Sequence, residues 1–113
     1  MFFCSKKENP LRTALRWIAV IGLLGAAGPA RADYDLVVKK NCLACHQVDK
    51  RKYGPNFKEV AAKYADQKNA ADVLARKIRR GGTGVWGEDV MPPQPQVSAA
   101  EARALATYVL SVK

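Results

Sequence analysis

The residues whose types and spacing carry recognisable chemistry are Cys42, Cys45 and His46, in the run CLACH. The C-x-x-C-H pattern is the attachment signature of c-type haem. Each cysteine thiol can add to one vinyl group of haem b and form a thioether. Cysteines three positions apart lie about one helical turn apart, and a histidine four positions after the first cysteine shares its helix face. The motif therefore predicts one covalent haem c, held by Cys42 and Cys45, with the His46 imidazole as a ligand of the iron.

Three other interpretations of the cysteine pair fit the sequence less well. A redox pair of the thioredoxin kind occurs near a βαβ pattern, and no strand pattern is found here. A zinc ion takes four ligands as a rule, but His46 is the only histidine and the chain has no second Cys/His cluster. A disulfide between cysteines three positions apart within a helix would be strained. Haem attachment is therefore the interpretation that the context supports.

The first 32 residues have the pattern of a secretory signal peptide. Four basic residues precede an apolar run of eleven residues, 17–27, and Ala30-Arg31-Ala32 has the A-x-A form of a cleavage site. A membrane-spanning helix needs about 20 apolar residues. We therefore expect cleavage after Ala32 and a mature domain of residues 33–113, in preference to an uncleaved membrane anchor. Cys4 precedes the apolar run, so we expect it to leave with the signal peptide.

The charge of the mature domain favours anionic partners. Residues 33–113 carry 14 Lys or Arg and 9 Asp or Glu, a net charge of +5 before any cofactor. A basic surface favours acidic protein partners or other anionic surfaces. Nucleic acid fits poorly because the sequence has no basic run interleaved with aromatic residues. A domain of 81 residues buries little apolar surface, so a covalent cofactor would supply much of its core.

Hydrophobic periodicity predicts an all-α domain with two loops between its helices. The predicted helices span residues 33–48, 57–65, 69–80 and 98–113, and the first contains the haem motif. Apolar residues recur at i, i+3, i+4 and i+7 in the second and fourth helices. Ser98 and Glu101 predict a capping box, and Gly81-Gly82 ends the third helix. Residues 49–56 and 81–97 are rich in Gly, Pro or charge and are predicted loops, and a loop as long as the second is usually functional.

Met91 is the candidate for the second axial ligand of the iron. It is the only methionine in residues 33–113, and it lies between a Gly-rich stretch and Pro92-Pro93. A thioether is a soft ligand, and His/Met ligation raises the reduction potential of cytochromes c. Methionines more often fill a core or a loop. Because a haem with one histidine ligand needs a sixth ligand or an open site, we predict that Met91 binds the iron.

Six blocks of the mature domain resemble the short bacterial class I cytochromes c of the cytochrome c-551 type. The similarity covers residues 33–113, and the blocks are CLACH, YGPNFKEVAAKY, LARKIRRGGTGVWG, MPPQ, VSAAE and YVLSVK. It implies a class I cytochrome c fold, with four to five helices wrapped around one covalently attached haem and one haem edge exposed. It also implies His46 and Met91 as the axial ligands.

The resemblance implies three further haem-binding residues. The Pro55 carbonyl would accept a hydrogen bond from His46 Nδ1, which orients the imidazole and tunes its basicity. The Trp86 indole N–H would donate to a haem propionate, and Gln94 would lie near the Met91 sulfur. Simpler interpretations remain for each residue: Trp86 as a core side chain, Pro55 as a turn residue and Gln94 as a solvent-facing side chain.

The function that the resemblance implies is a soluble periplasmic carrier of single electrons, not an enzyme. The donor would be a quinol-oxidising complex, and the acceptor a nitrite reductase, a terminal oxidase or a peroxidase. Such contacts are small and transient. We also expect a monomer with no stable membrane insertion. Two alternatives stay open: a haem subunit of a larger periplasmic oxidoreductase, and a ligand-binding or peroxidase-like haem protein with a labile methionine.

Overall fold

The computed structural model describes residues 29–113, with side chains from Asp33 onwards. These residues form four α-helices and one short 3₁₀ helix: α1 (Pro29–Lys39), the 3₁₀ helix (Cys42–Ala44), α2 (Phe57–Tyr64), α3 (Ala70–Arg80) and α4 (Ala99–Ser111). The predicted all-α class is confirmed. The body of the predicted signal peptide lies outside the described residues, and cleavage after Ala32 stays a prediction. None of the described helices is long and apolar enough to cross a membrane.

The first helix differs from its prediction at both ends. It begins at Pro29 and ends at Lys39, whereas periodicity predicted one helix over 33–48. Asn41 adopts a left-handed backbone, with φ 60° and ψ 27°. Asn is one of the few residues that visit this region, and a left-handed residue cannot continue a right-handed helix. The haem motif therefore occupies a separate 3₁₀ turn and the loop after it, and the prediction of one continuous helix was wrong.

Side-chain caps fix the starts of two helices. At α4, Glu101 N–H donates to Ser98 Oγ (3.2 Å) and Ser98 N–H donates to Glu101 Oε2 (2.9 Å), which confirms the predicted capping box. At α2, Glu59 N–H donates to Asn56 Oδ1 (2.8 Å) and Asn56 N–H donates to Glu59 Oε2 (3.0 Å). Each box satisfies two backbone donors that the first turn of a helix leaves without partners.

Helix α4 is the central element of the core. Helices α1, α2 and α3 all pack against it. Ala102 and Ala106 are fully buried on α4, and these small side chains let neighbouring backbones approach closely. Val37 of α1, Leu105 of α4 and Val97 are the largest fully buried side chains. The helices that carry or flank the two predicted ligands are therefore joined through one apolar cluster.

Backbone pairing orders the long loop between α3 and α4. Gly82 and Met91 exchange two hydrogen bonds, of 3.0 and 2.9 Å, and form an isolated antiparallel bridge. Gly81 has φ 70°, and a Cβ there would clash with the Met91 carbonyl oxygen. Gln94 N–H donates to the Arg79 carbonyl at 3.1 Å. The predicted loop is confirmed, and its contacts tie the Met91 backbone to the end of α3.

Candidate cofactor-binding site

A cavity of about 470 Å³ lies between the haem motif, the loop before α2 and the loop before α4. Its inner wall is apolar and includes Phe57, Leu74, Ile78 and Leu105. All seven site residues that the sequence predicts line it: Cys42, Cys45, His46, Pro55, Trp86, Met91 and Gln94. The fold thus brings the two predicted axial ligands and the two predicted attachment points into one space.

The His46 ring is held in one orientation from three directions. Its Nδ1 lies 2.8 Å from the Pro55 carbonyl oxygen. Because a carbonyl only accepts, Nδ1 carries the proton and the Nε2 lone pair is available to a metal. The Phe57 ring stacks on the imidazole at 5.8 Å with an interplanar angle of 25°. A Cβ at Gly54 would lie 2.7 Å from Nδ1, so only glycine fits against the ring.

The two cysteines lie beside the cavity and form no disulfide with each other. Cys42 is half-buried and Cys45 is exposed. Burial raises the pKa of the Cys42 thiol above its ordinary value. The Cys42 carbonyl accepts from the N–H groups of Cys45 (3.3 Å) and His46 (3.0 Å), which winds the motif into a tight turn. Within residues 29–113 no three His, Cys, Asp or Glu side chains gather as a metal site, so the zinc alternative lacks a ligand set there.

Trp86 and Gln94 lie on the side of the cavity that the Met91 loop forms. Trp86 is half-buried and packs against the edge of the apolar core. Lys63 Nζ lies 5.1 Å from the centroid of its indole ring, and Arg51 donates to its carbonyl at 2.9 Å. Gln94 is also half-buried, and its amide donates to the Pro92 carbonyl at 3.1 Å. Core packing and cavity lining are therefore both true of Trp86.

Two features near the site were not predicted from the sequence, namely the ion pair of Lys40 and the close approach of Gly54 to His46. Lys40 lines the cavity, and its ammonium lies 2.9 Å from Glu101 Oε2 and donates to the Gln96 carbonyl at 3.0 Å. The hydrogen bond from Lys40 is the main cause that holds the pKa of Glu101 below its usual value. Lys40 and Glu101 are far apart in sequence, so only the fold reveals the pair. Gly54 could have been noticed, because a glycine beside the predicted Pro55 acceptor suggests a close approach.

The residues present fit a covalent haem. A haem needs an apolar space for a flat carbon-rich ring, two thiols for its vinyl groups and donors for its iron. The cavity has an apolar inner wall, and both thiols, the oriented imidazole and the Met91 thioether line it. Lys77 also lines it and would supply positive charge for the propionates, whereas the charge of Lys40 is paired with that of Glu101. The Pro55 hydrogen bond leaves His46 in the tautomer that binds a metal through Nε2.

Comparisons with known proteins agree with this geometry. The Cytochrome c family model matches residues 34–113. Over 103 residues the chain is 48% identical to cytochrome c-552 of Nitrosomonas europaea, covering 91% of this chain and all of the relative. It is 53% identical to cytochrome c-551 of Azotobacter vinelandii over 79 residues, which cover 70% of this chain and 95% of the relative. The crystal structure of the Nitrosomonas europaea protein superposes with a TM-score of 0.70 at 52% identity, over 71% of this chain and 99% of that one.

Proposed function

The chain belongs to the cytochrome c family, and we propose that it carries single electrons between redox proteins of the periplasm through a haem ligated by His46 and Met91. As a member of this family it is an electron carrier with one covalent haem c. The ligands, the compartment and the partners are what we propose in addition. The observation that carries the proposal is that His46, oriented with Nε2 available, lines the same cavity as the Met91 thioether and both thiols.

Each site residue has a separate task in this proposal. Cys42 and Cys45 attach the ring through thioethers. His46 binds the iron through Nε2, while the Pro55 carbonyl holds its Nδ1 proton and raises the basicity of the ring. The bridge with Gly82 presents Met91 from the other loop. When bound, the haem iron supplies reversible exchange of one electron between the ferric and ferrous states.

The same arrangement favours a carrier over an enzyme. A substrate could reach the iron only by displacing Met91, because protein side chains would occupy both axial positions. Gly54 and the stacked Phe57 ring hold the His46 imidazole, and two backbone hydrogen bonds with Gly82 order the backbone of Met91. A ligand set that suits both oxidation states and moves little between them favours fast electron exchange. We therefore propose that the protein catalyses no reaction of its own.

The rim of the cavity indicates which partners fit. Residues 39–80 carry twelve basic and four acidic side chains, whereas residues 81–102 carry three acidic and no basic ones. Of these charged residues, Lys40 and Lys77 of the first segment and Asp89 of the second line the cavity itself. Tyr53, Val85 and Val90 add exposed apolar surface at the rim. The basic residues of 39–80 would attract a redox protein with an acidic patch. The carboxylates of Glu88 and Asp89 would form ion pairs with basic side chains of the same partner.

The periplasmic location rests on the predicted signal peptide. Both the predicted signal peptide and the C-x-x-C-H haem motif fit an exported protein. Fractionation of cells that express the full chain is expected to place the haem-containing product in the periplasm, shortened to a first residue of Asp33. A full-length product in the cytoplasm would contradict this part of the proposal.

A visible spectrum with a redox titration of the exported protein tests the ligation. We expect one haem per chain, a reversible one-electron titration and the weak sulfur-to-iron band of methionine ligation. Met91→Ala is expected to lose the band, lower the potential and open the iron to carbon monoxide. Val90→Ala, at an exposed neighbouring side chain, is the control and is expected to keep the band. Survival of the band in Met91→Ala, or rapid carbon monoxide binding by the unmodified protein at neutral pH, would contradict the proposal.

A further inference from the structure

The segment 82–91, which ends at Met91, has few polar ties to the rest of the molecule. Within the segment, Gly82 pairs with Met91, and the Gly84 N–H donates to the Gly87 carbonyl at 3.1 Å. Across residues 29–113 a single hydrogen bond joins this segment to the chain outside it. In that bond Arg51 Nη2 donates to the Trp86 carbonyl at 2.9 Å. The segment that presents Met91 thus makes its backbone hydrogen bonds within itself, and the Trp86 carbonyl is the one point at which a hydrogen bond joins it to the rest of the described chain.

The arginine belongs to the loop that also orients His46. Arg51 lies in the 49–56 loop, four residues before Pro55, whose carbonyl binds the His46 ring. The loop is itself fixed to the haem motif, because the Gly54 N–H donates to the Cys45 carbonyl at 2.9 Å. Arg51 therefore extends from a fixed loop on the His46 side to the loop that carries Met91. One loop contacts both ligand-bearing sides of the cavity.

A second basic residue, Lys63, also contacts Trp86. Lys63 of α2 lies 5.1 Å from the centroid of the Trp86 indole ring, a cation–π contact. The indole is half-buried and packs against the core. Trp86 is thus held at its ring by α2 and the core and at its carbonyl by Arg51. The ring contacts fix the side chain, whereas the Arg51 hydrogen bond acts directly on the backbone that leads to Met91.

We propose that Arg51 is a positioning residue that keeps the 82–91 segment closed and Met91 on the iron. The inference rests on the ligation by His46 and Met91 proposed above. A guanidinium stays charged at every accessible pH, and its hydrogen bond to a carbonyl is charge-assisted. Without it, the segment opens more often and the Met91 sulfur leaves the iron for a larger fraction of the time. An external ligand then competes for the iron more effectively, because the competent state is more populated.

Imidazole binding to the oxidised holoprotein, followed by loss of the sulfur-to-iron band, measures this population. Arg51→Leu is expected to raise the imidazole affinity about fivefold, which corresponds to about 1 kcal/mol for one exposed charge-assisted hydrogen bond. Lys50→Leu removes the same charge from an exposed side chain of the same loop and is expected to leave the affinity within about twofold. Equal affinities in Arg51→Leu and Lys50→Leu would overturn the proposal. Arg51→Lys keeps a cationic donor, and behaviour identical to Arg51→Leu would also overturn it.

The Met91→Ala background separates this proposal from the ligation itself. If Met91→Ala leaves the imidazole affinity of the unmodified protein unchanged, Met91 is not a ligand and the proposed function fails. If Met91→Ala raises the affinity but Arg51→Leu does not, the ligation stands and the role of Arg51 is wrong. In the Met91→Ala background, Arg51→Leu is expected to have no further effect, because no methionine competes. A further increase of about fivefold there would show that Arg51 acts through charge or access and would overturn its positioning role.

Discussion

Substitution of Gly54 by alanine is the sharpest test of how the fold orients His46. An alanine Cβ at this position would lie 2.7 Å from His46 Nδ1 and 3.1 Å from Nε2. The contact with Nδ1 is shorter than real Cβ atoms show, so either the imidazole or the 49–56 loop must move. The imidazole cannot move towards Phe57, whose buried ring stacks on it at 5.8 Å. The expected result is loss of the 2.8 Å hydrogen bond between His46 Nδ1 and the Pro55 carbonyl.

The magnitude follows from two contributions. Overpacking a close-packed site costs about 1–3 kcal/mol, and loss of a partly buried hydrogen bond costs about 0.5–1.5 kcal/mol. Gly54→Ala is therefore expected to lower the free energy of unfolding by about 1.5–4.5 kcal/mol. In a domain of this size each kcal/mol lowers Tm by about 4–8 °C, so Tm is expected to fall by at least about 6 °C. The reduction potential is expected to rise, since a less basic imidazole stabilises ferric iron less.

Gly82→Ala provides the matched control. A Cβ at Gly82 has no heavy atom within 4 Å, and the residue is not among the glycines with positive φ. The control is expected to change the free energy of unfolding by no more than about 1 kcal/mol, in either direction. Guanidinium unfolding followed by circular dichroism gives the stability, and a redox titration gives the potential. A Gly54→Ala protein with the Tm and potential of the Gly82→Ala protein would refute the reasoning.

Three other perturbations have defined outcomes. Glu101→Gln is expected to flatten the acid dependence of stability. The Lys40 hydrogen bond lowers the pKa of Glu101, so the ionised carboxylate stabilises the fold above the ordinary pKa of 4.5, and this stabilisation is lost as pH falls through the lower pKa of the folded state. Guanidinium midpoints at several pH values measure the difference. Leu105→Ala, at a fully buried position of α4, is expected to cost about 2–5 kcal/mol in guanidinium unfolding. Replacement of Glu88 and Asp89 by their amides is expected to speed oxidation by anionic ferricyanide and to slow oxidation by a cationic cobalt complex at low salt. Stopped-flow rates measure both effects. Equal changes in rate with the two oxidants would contradict a role of these carboxylates in attracting cations.

The candidate site could be predicted from sequence where the chemistry is local or where a residue type is scarce. The C-x-x-C-H run is contiguous, so Cys42, Cys45 and His46 needed no knowledge of the fold. Met91 followed because residues 33–113 contain no other methionine. The capping box at Ser98 was equally local, since its two hydrogen bonds join residues three positions apart. Features of this kind depend on residue type and on the spacing of residues along the chain, and both can be read from the sequence.

The misses have physical reasons that spacing does not record. The break between α1 and the haem motif depends on the left-handed backbone of Asn41, which a hydrophobic period cannot detect. The contacts of Lys40 with Glu101 and Gln96 join residues more than fifty positions apart, and they exist only because α1 packs on α4. The acceptor of Arg51 is a backbone carbonyl, a group that every residue has. A sequence pattern cannot identify such a partner.

The two ligand-bearing sides of the cavity are held by interactions of different strength. On the His46 side, Pro55 and Phe57 are buried and Gly54 leaves the imidazole no room to turn. Interactions shielded from water lose little of their strength to screening and competition. On the Met91 side, the hydrogen bonds that Arg51 and Gln94 make are exposed, and each exposed hydrogen bond contributes about 1 kcal/mol or less.

We expect the Met91 side to open before the His46 side, because segments with few buried contacts open at lower free energy than the core. The sulfur of Met91 is therefore expected to leave the iron at denaturant concentrations where the His46 side is still folded. Loss of the sulfur-to-iron band would then precede loss of helical circular dichroism as guanidinium rises. Coincident loss of the two signals would show instead that the Met91 loop is as firmly held as the core, which its exposed contacts alone do not explain.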